Sequence, residues 1–228
     1  MKEINKKNLK KTHLFIGLED VLIPGNAEKE INLSEVKKII RNLIQLNEKV
    51  PEFDFFILTG LREKEALKRI RNFPFLNEVK DKIMSVTEGY IDSKEPQDKE
   101  FYLKRLNENH EFKDEYFKQT VIQGFIGKGV GREKIELIGH DVWTDGFYTT
   151  KFSNVDFALI KSSLTHLDNP LNQEIPGVVY IERTWKDFKK ILLGELKKPS
   201  LEELDKYVLN YFRKHLIADE LNKLKIGA

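Results

Sequence analysis

Cysteine is missing altogether from the 228 residues, which rules out a disulfide framework, a Cys-ligated zinc and a thiol nucleophile. No apolar run reaches the length of a membrane span, so no membrane partner is expected. Neither sign of charge dominates: 39 Lys and Arg face 37 Asp and Glu, a net of +2, far from the basic field of a nucleic-acid-binding domain. The opening stretch MKEINKKNLKKTH is basic but has no apolar segment of a secretory signal, and the expectation is a soluble, cytoplasmic protein. Internal repeats, low-complexity linkers and close histidine pairs of the H-x-x-x-H kind are also absent. What remains is 40% hydrophobic and 33% charged, the composition of a globular domain long enough to bury a real core.

Hydrophobic periodicity alternates between short β-type runs and amphipathic helices. HLFIG is a strand; LSEVKKIIRNLIQLNEK then places Val36, Ile39, Ile40, Leu43 and Ile44 on one helical face. DFFILTG is a second strand, followed by helical REKEALKRIRNF, and DKIMSVTEGYI reads as a strand with a turn at Glu88 and Gly89. The polar stretch 92–112 suits a loop and a short helix; a helix over about 113–126 ends in glycines, and EKIELIGHD is a further strand. VDFALI and GVVYIE are short β-rich runs, and TWKDFKKILLGEL is a helix capped by Thr184 with Asp187 three residues on. Strands alternating with helices predict an α/β fold, a Rossmann-like three-layer sandwich on a mainly parallel sheet. Residues 1–11 read as a solvated basic tail, 12–196 as the core, and 197–228 as a C-terminal helical extension. Leu201, Leu204, Val208, Leu209 and Phe212 on one side of that extension would dock on the core or serve self-association.

In parallel sheets ligands sit beyond the carboxyl ends of the strands, and chemistry-bearing residues gather there. Gly17, Glu19 and Asp20 follow the first strand, Thr59 and Gly60 the second, and His140, Asp141 and Asp145 the IELIG strand. A hydroxyl beside a glycine suits phosphate oxygens, and two carboxylates four apart suit a divalent cation, although acidic residues also commonly cap helices that follow strands. Lys118 falls mid-way across an apolar face of Phe117, Val121, Ile122 and Phe125. An amine there either snorkels past the core edge or is aimed at an anion. His140, Asp141, Asp145, His13 and Glu19 could be assembled into a transition-metal site, but without tight histidine spacing. Trp143, Phe147 and Tyr148 read as packing, KRIR at 68–71 as a solvated helix face, and GKGVG at 127–131 as a helix stop rather than a phosphate loop.

This ordered set resembles the haloacid dehalogenase (HAD) superfamily, mostly magnesium-dependent phosphohydrolases on a Rossmann-like core, over roughly residues 12–196. The family's Asp-x-Asp-Gly-Thr-Leu is similar to GLEDVL; its strand ending in Thr or Ser to FFILTG; its helical lysine to Lys118, with Lys128 as second candidate; its Gly-Asp element to LIGHDVWTDG. The resemblance implies phosphate binding by Thr59, Gly60 and Lys118, magnesium held by Asp141 and Asp145 if any metal binds, and a small flap formed by EDVLIPG. The interval from Thr59 to Lys118 must hold a helix, a strand and their connections, so any cap, within 61–110, is small.

The departure from the pattern is at its centre. The family's first Asp attacks phosphorus and ligates the metal, and Gly17 stands there with no carboxylate to do either. Glu19 occupies the acid/base position with one more methylene of reach, and Asp20 replaces the family's glycine. The expectation is a HAD-like protein lacking or strongly impaired in phosphohydrolase activity, still able to bind a small phosphorylated ligand. The alternative is an active magnesium-dependent phosphomonoester hydrolase using Glu19, Asp141 and Asp145. Nucleic-acid binding through the N-terminus is a third reading.

Overall fold

The computed structural model of this chain describes residues 9–25, 31–92, 94–108, 118–141, 145–146, 148–160, 180–181 and 184–195, together with 202, 206 and 209. These contain six strands, β1 (His13–Gly17), β2 (Asp54–Thr59), β3 (Ile83–Ser85), β4 (Ile135–Gly139), β5 (Asp156–Ile160) and β6 (Tyr180–Ile181). The α-helices are α1 (Leu33–Lys49), α2 (Glu63–Ile70), α3 (Val86–Asp92), α4 (Pro96–Glu108), α5 (Lys118–Gly127), α6 (Tyr148–Ser153) and α7 (Trp185–Leu192). All strand pairings are parallel, in the order β3-β2-β1-β4-β5-β6.

Side chains alternate across the sheet and feed two separate apolar clusters, as the two-residue period of a strand requires. Leu14, Ile16, Phe55, Ile57, Ala158 and Ile160 pack with α1, α2 and α7 on one face. Phe15, Leu58, Leu137, Phe157 and Leu159 pack with α3 and α5 on the other. Burial on both faces is why the strands read as near-continuous apolar runs. Helix α1 buries Val36, Ile39, Ile40, Leu43 and Leu46, starts where Asn32 accepts the Glu35 N–H at 3.3 Å, and stops as Val50 turns extended ahead of Pro51. The expected three-layer α/β architecture with a parallel sheet is thus present.

Four local expectations change. The stretch after Ile83 is a strand of only three residues, and 86–92 is helix α3 rather than a strand and turn. Ser85 caps that helix by accepting the Glu88 N–H at 3.3 Å. The polar stretch that follows is a 13-residue helix, α4, with Pro96 at its first position. Lys11, assigned to the solvated tail, is buried: its ammonium bonds the Asp156 carboxylate, the Ile135 carbonyl at 3.0 Å and stands 3.6 Å from Glu136. Glu136 lies in mid-β4 and is itself buried, and a buried carboxylate is tolerated only when paired. His13 begins β1, at the opposite end of the strand from Gly17. It therefore cannot join His140, Asp141, Asp145 and Glu19 in a metal site.

Most of the C-terminal extension, residues 1–8 of the N-terminal tail, Phe117, Trp143 and Phe147 lie outside the described residues. Of the apolar side expected to dock, Leu209 is described and is exposed. Among the described residues no helix is long and apolar enough to cross a membrane.

Candidate functional site

The strand order reverses between β1 and β4, and a crevice opens at the carboxyl ends of neighbouring strands at such a point. Gly17, Thr59 and Gly139 end β1, β2 and β4 on this edge, and Lys118 begins α5. The structure thus brings Gly17, Glu19, Thr59, Gly60, Asp141 and Asp145, which follow strands, to one end of the sheet, together with Lys118 from the start of α5.

The first loop is a compact turn. Leu18 donates its N–H to the Leu58 carbonyl at 2.8 Å, and Leu22 and Ile23 return N–H bonds to Leu18 O at 2.9 and 3.1 Å. Leu18, Val21, Leu22 and Ile23 are buried in the core. Asp20 takes a left-handed conformation, φ 57°, a geometry that glycine adopts freely and Asp tolerates better than most. Its carboxylate accepts the Gly25 N–H at 2.6 Å. Arg69 of α2 donates to the Pro24 carbonyl at 2.6 Å and to that of Gly25. This corrects the reading of KRIR as a wholly solvated face: Arg69 clamps the loop. Helical spacing could not reveal that, because its partner is a backbone some forty residues away in sequence.

Gly17 leaves little room for a side chain. A Cβ built there would stand 3.0 Å from Val21 Cγ2 and 3.8 Å from the Ile138 carbonyl oxygen. The nucleophile position of the resembled motif is thus vacant of a carboxylate and crowded by a methyl group.

Glu19 reaches across to β2. Thr59, fully buried, donates its hydroxyl proton to Glu19, with Oγ1 2.8 Å from Oε1 and 3.0 Å from Oε2, and accepts the Leu61 N–H at 3.1 Å. Burial pushes the Glu19 carboxyl above its ordinary range, and the Thr59 hydroxyl, a backbone bond and the charges of Lys118 and Arg69 counter this only in part. Gly60 lends its carbonyl to the Thr87 hydroxyl at 3.1 Å. At the start of α2 the Glu88 carboxylate accepts the Glu63 N–H at 2.8 Å and Arg62 Nε at 3.4 Å.

At the end of β4, Asp145 is fully buried and its carboxylate is the hub. Oδ1 takes the Lys118 ammonium, and Oδ2 accepts the N–H groups of His140 at 2.9 Å and Asp141 at 3.3 Å. Burial alone would raise this carboxyl, but Lys118 and His140 outweigh it and hold it below the ordinary value. Asp145 folds back over Gly139, where a Cβ would lie 2.6 Å from its Cγ, so the strand must end in glycine. The His140 ring stands with Nδ1 3.4 Å from Asp145 and Nε2 3.8 Å from Asp20, linking the β4 loop to the first loop.

The resemblance implies magnesium held by Asp141 and Asp145, with the first-strand carboxylate as a further ligand. Gly17 offers no oxygen, and both Asp145 oxygens are engaged by an amine and two amides. Among the described residues no group of three or more His, Asp or Glu is placed to hold a metal ion. Sequence reasoning found Glu19, Thr59, Lys118 and Asp145 but missed Arg69, Glu88 and Gly139. For Gly139 a signal existed, a glycine ending a buried strand; for the other two there was none.

Comparison with protein-family models, with curated proteins and with solved structures finds no match for this chain. The class that the fold defines is a parallel α/β sandwich with polar side chains gathered where its strand order reverses.

Proposed function

We propose that this chain is a HAD-like protein without phosphohydrolase activity, whose crevice serves as a seat for a phosphate group or a ligand bearing one. The observation that carries the first half is Gly17. In the resembled family the attacking carboxylate stands at the end of β1; this chain has a glycine there, and a Cβ would press on a Val21 methyl at 3.0 Å. The second half draws support from the chemistry of Thr59 and Lys118: a hydroxyl and an ammonium, on neighbouring elements, at the edge where such folds bind anions. Lys118 is the less free of the two because it holds Asp145.

The alternative, an active hydrolase using Glu19, has one observation in its favour. A carboxyl raised by burial holds its proton more readily than a free one, which favours an acid role. It still lacks a nucleophile, and both Glu19 oxygens face Thr59.

The deciding experiment is an assay of the purified protein against a panel of phosphate monoesters with and without magnesium. No turnover above background is expected; turnover abolished by Glu19→Gln or Asp141→Asn would overturn the non-hydrolytic reading. For the seat, inorganic phosphate should raise the melting temperature of the wild type, with chloride at equal ionic strength as control, and Thr59→Val should abolish the rise. Lys118→Ala is a poor probe, since it strands the Asp145 charge.

A further inference from the structure

We infer that Glu19 is the resident occupant of the phosphate seat, an internal carboxylate that an incoming anion must displace, so that the chain's own first loop closes the site. This rests on the anion-seat reading above and adds how the seat is controlled.

The argument is one of proton count. A threonine hydroxyl has one proton to give. Thr59 gives it to Glu19, the two distances of 2.8 and 3.0 Å describing one shared bond, while its acceptor side is taken by the Leu61 N–H. A phosphate oxygen can obtain that proton only by replacing the Glu19 carboxylate. The same substitution of an internal carboxylate for an external anion recurs around the crevice. Glu88 takes the Glu63 N–H, and Asp145 takes the Lys118 ammonium with the amides of His140 and Asp141. These three carboxylates are not equivalent. Asp145 is fully buried and held by three donors, and the Glu88 carboxylate, from α3, is engaged at the start of α2. For Glu19 the Thr59 hydroxyl is the one side-chain hydrogen-bond donor described. Swinging outward on its flexible side chain, Glu19 gives up the Thr59 bond and the attraction of Lys118 and Arg69. Its extra methylene over aspartate is what allows it to span from the first loop to β2, which gives the departure from the family's Asp a physical role.

The test is a titration with inorganic phosphate at constant ionic strength, read by calorimetry and by thermal shift, on the wild type, Glu19→Gln, Glu19→Ala and Glu19→Ala/Thr59→Val. Apparent affinity falls by the fraction of molecules whose seat is open, and the Thr59 bond with the nearby Lys118 and Arg69 charges holds the seat shut. Affinity should therefore rise from wild type through Glu19→Gln to Glu19→Ala by roughly ten- to a hundredfold overall, and fall back when Thr59→Val is added. Equal binding by wild type and Glu19→Ala, abolished by Thr59→Val alone, would overturn the inference while leaving the seat in place. Tight binding that survives in the double variant would overturn it by locating the phosphate elsewhere. Absence of phosphate binding in every variant would remove both the inference and the seat. Melting curves without phosphate establish that each variant is folded, and the near-isosteric Glu19→Gln keeps the comparison available if Glu19→Ala is not.

Discussion

Lys118 and Asp145 bury opposite charges against each other with two backbone amides in support. Removing one partner leaves an uncompensated charge in the interior, at a cost of about 3–5 kcal/mol. Asp145→Asn and Lys118→Met should each lower stability by that order in urea denaturation, and the double variant Lys118→Met/Asp145→Leu should cost less than the two together. The two shifted carboxyls give opposite pH dependences. Asp145 is held below its ordinary value of 3.8, so the stability it supplies is present above that pH and lost as pH falls through the lowered folded value. Glu19 is raised above its ordinary value of 4.5, so the folded state holds the proton more tightly than the unfolded chain. Stability then declines as pH rises from about 4.5 through the raised value. Chemical denaturation across pH should show Glu19→Gln more stable than wild type at neutrality, with that declining limb gone. Gly17→Asp should destabilise by about 1–3 kcal/mol through overpacking, and Val21→Ala in the same chain should relieve it, since Val21 Cγ2 is the nearest obstacle at 3.0 Å.

One glycine inside helix α5 and one just past it should respond to replacement with opposite signs. Gly129, just past the helix, has φ 93°; it donates its N–H to Ile126 O at 2.9 Å while the Val130 N–H reaches back to Phe125 O at 3.2 Å. That pair of bonds closes the helix with a left-handed residue, so GKGVG is the stop that the sequence suggested. Gly129→Ala should cost about 1 kcal/mol for the left-handed backbone alone, since a Cβ there meets nothing within 4 Å. Gly124, inside the same helix, also has open space around a built Cβ, and Gly124→Ala should gain about 0.5–1 kcal/mol. Thermal melts of the two single variants check both signs. At the opposite end of the strands from the candidate site, Lys11→Met should cost about 3 kcal/mol, because it removes the buried ammonium that bonds Asp156 and stands beside Glu136. Any test of nucleic-acid binding by trimming the N-terminus must therefore keep Lys11, or it will measure unfolding instead.

At the scale of the molecule, one strand order accounts for the site. With β1 flanked by β2 and β4, loops far apart in sequence meet where the order reverses: Glu19 finds Thr59 forty positions on, and Lys118 finds Asp145 twenty-seven on. The alternation of apolar strands and amphipathic helices was readable along the chain because each element announces its own period, and a parallel sheet covered on both faces follows from that alternation. Element edges were less readable where competing signals are weak. IMSVTEGYI reads as β-rich, yet a single serine cap and the shortness of edge strand β3 turn 86–92 into helix.

The layered α/β class, the strand ends where polar residues gather and the lack of a carboxylate at Gly17 are legible in the linear chain, since each is a local pattern or the identity of one residue. Only the tertiary structure decided that Thr59 and Lys118 are already engaged by Glu19 and Asp145, that Arg69 clamps the first loop, and that Lys11 and Glu136 are a buried pair. Hydrogen bonds and ion pairs form between groups that packing brings within about 3 Å, and no period or spacing in a linear chain encodes which distant loops will meet.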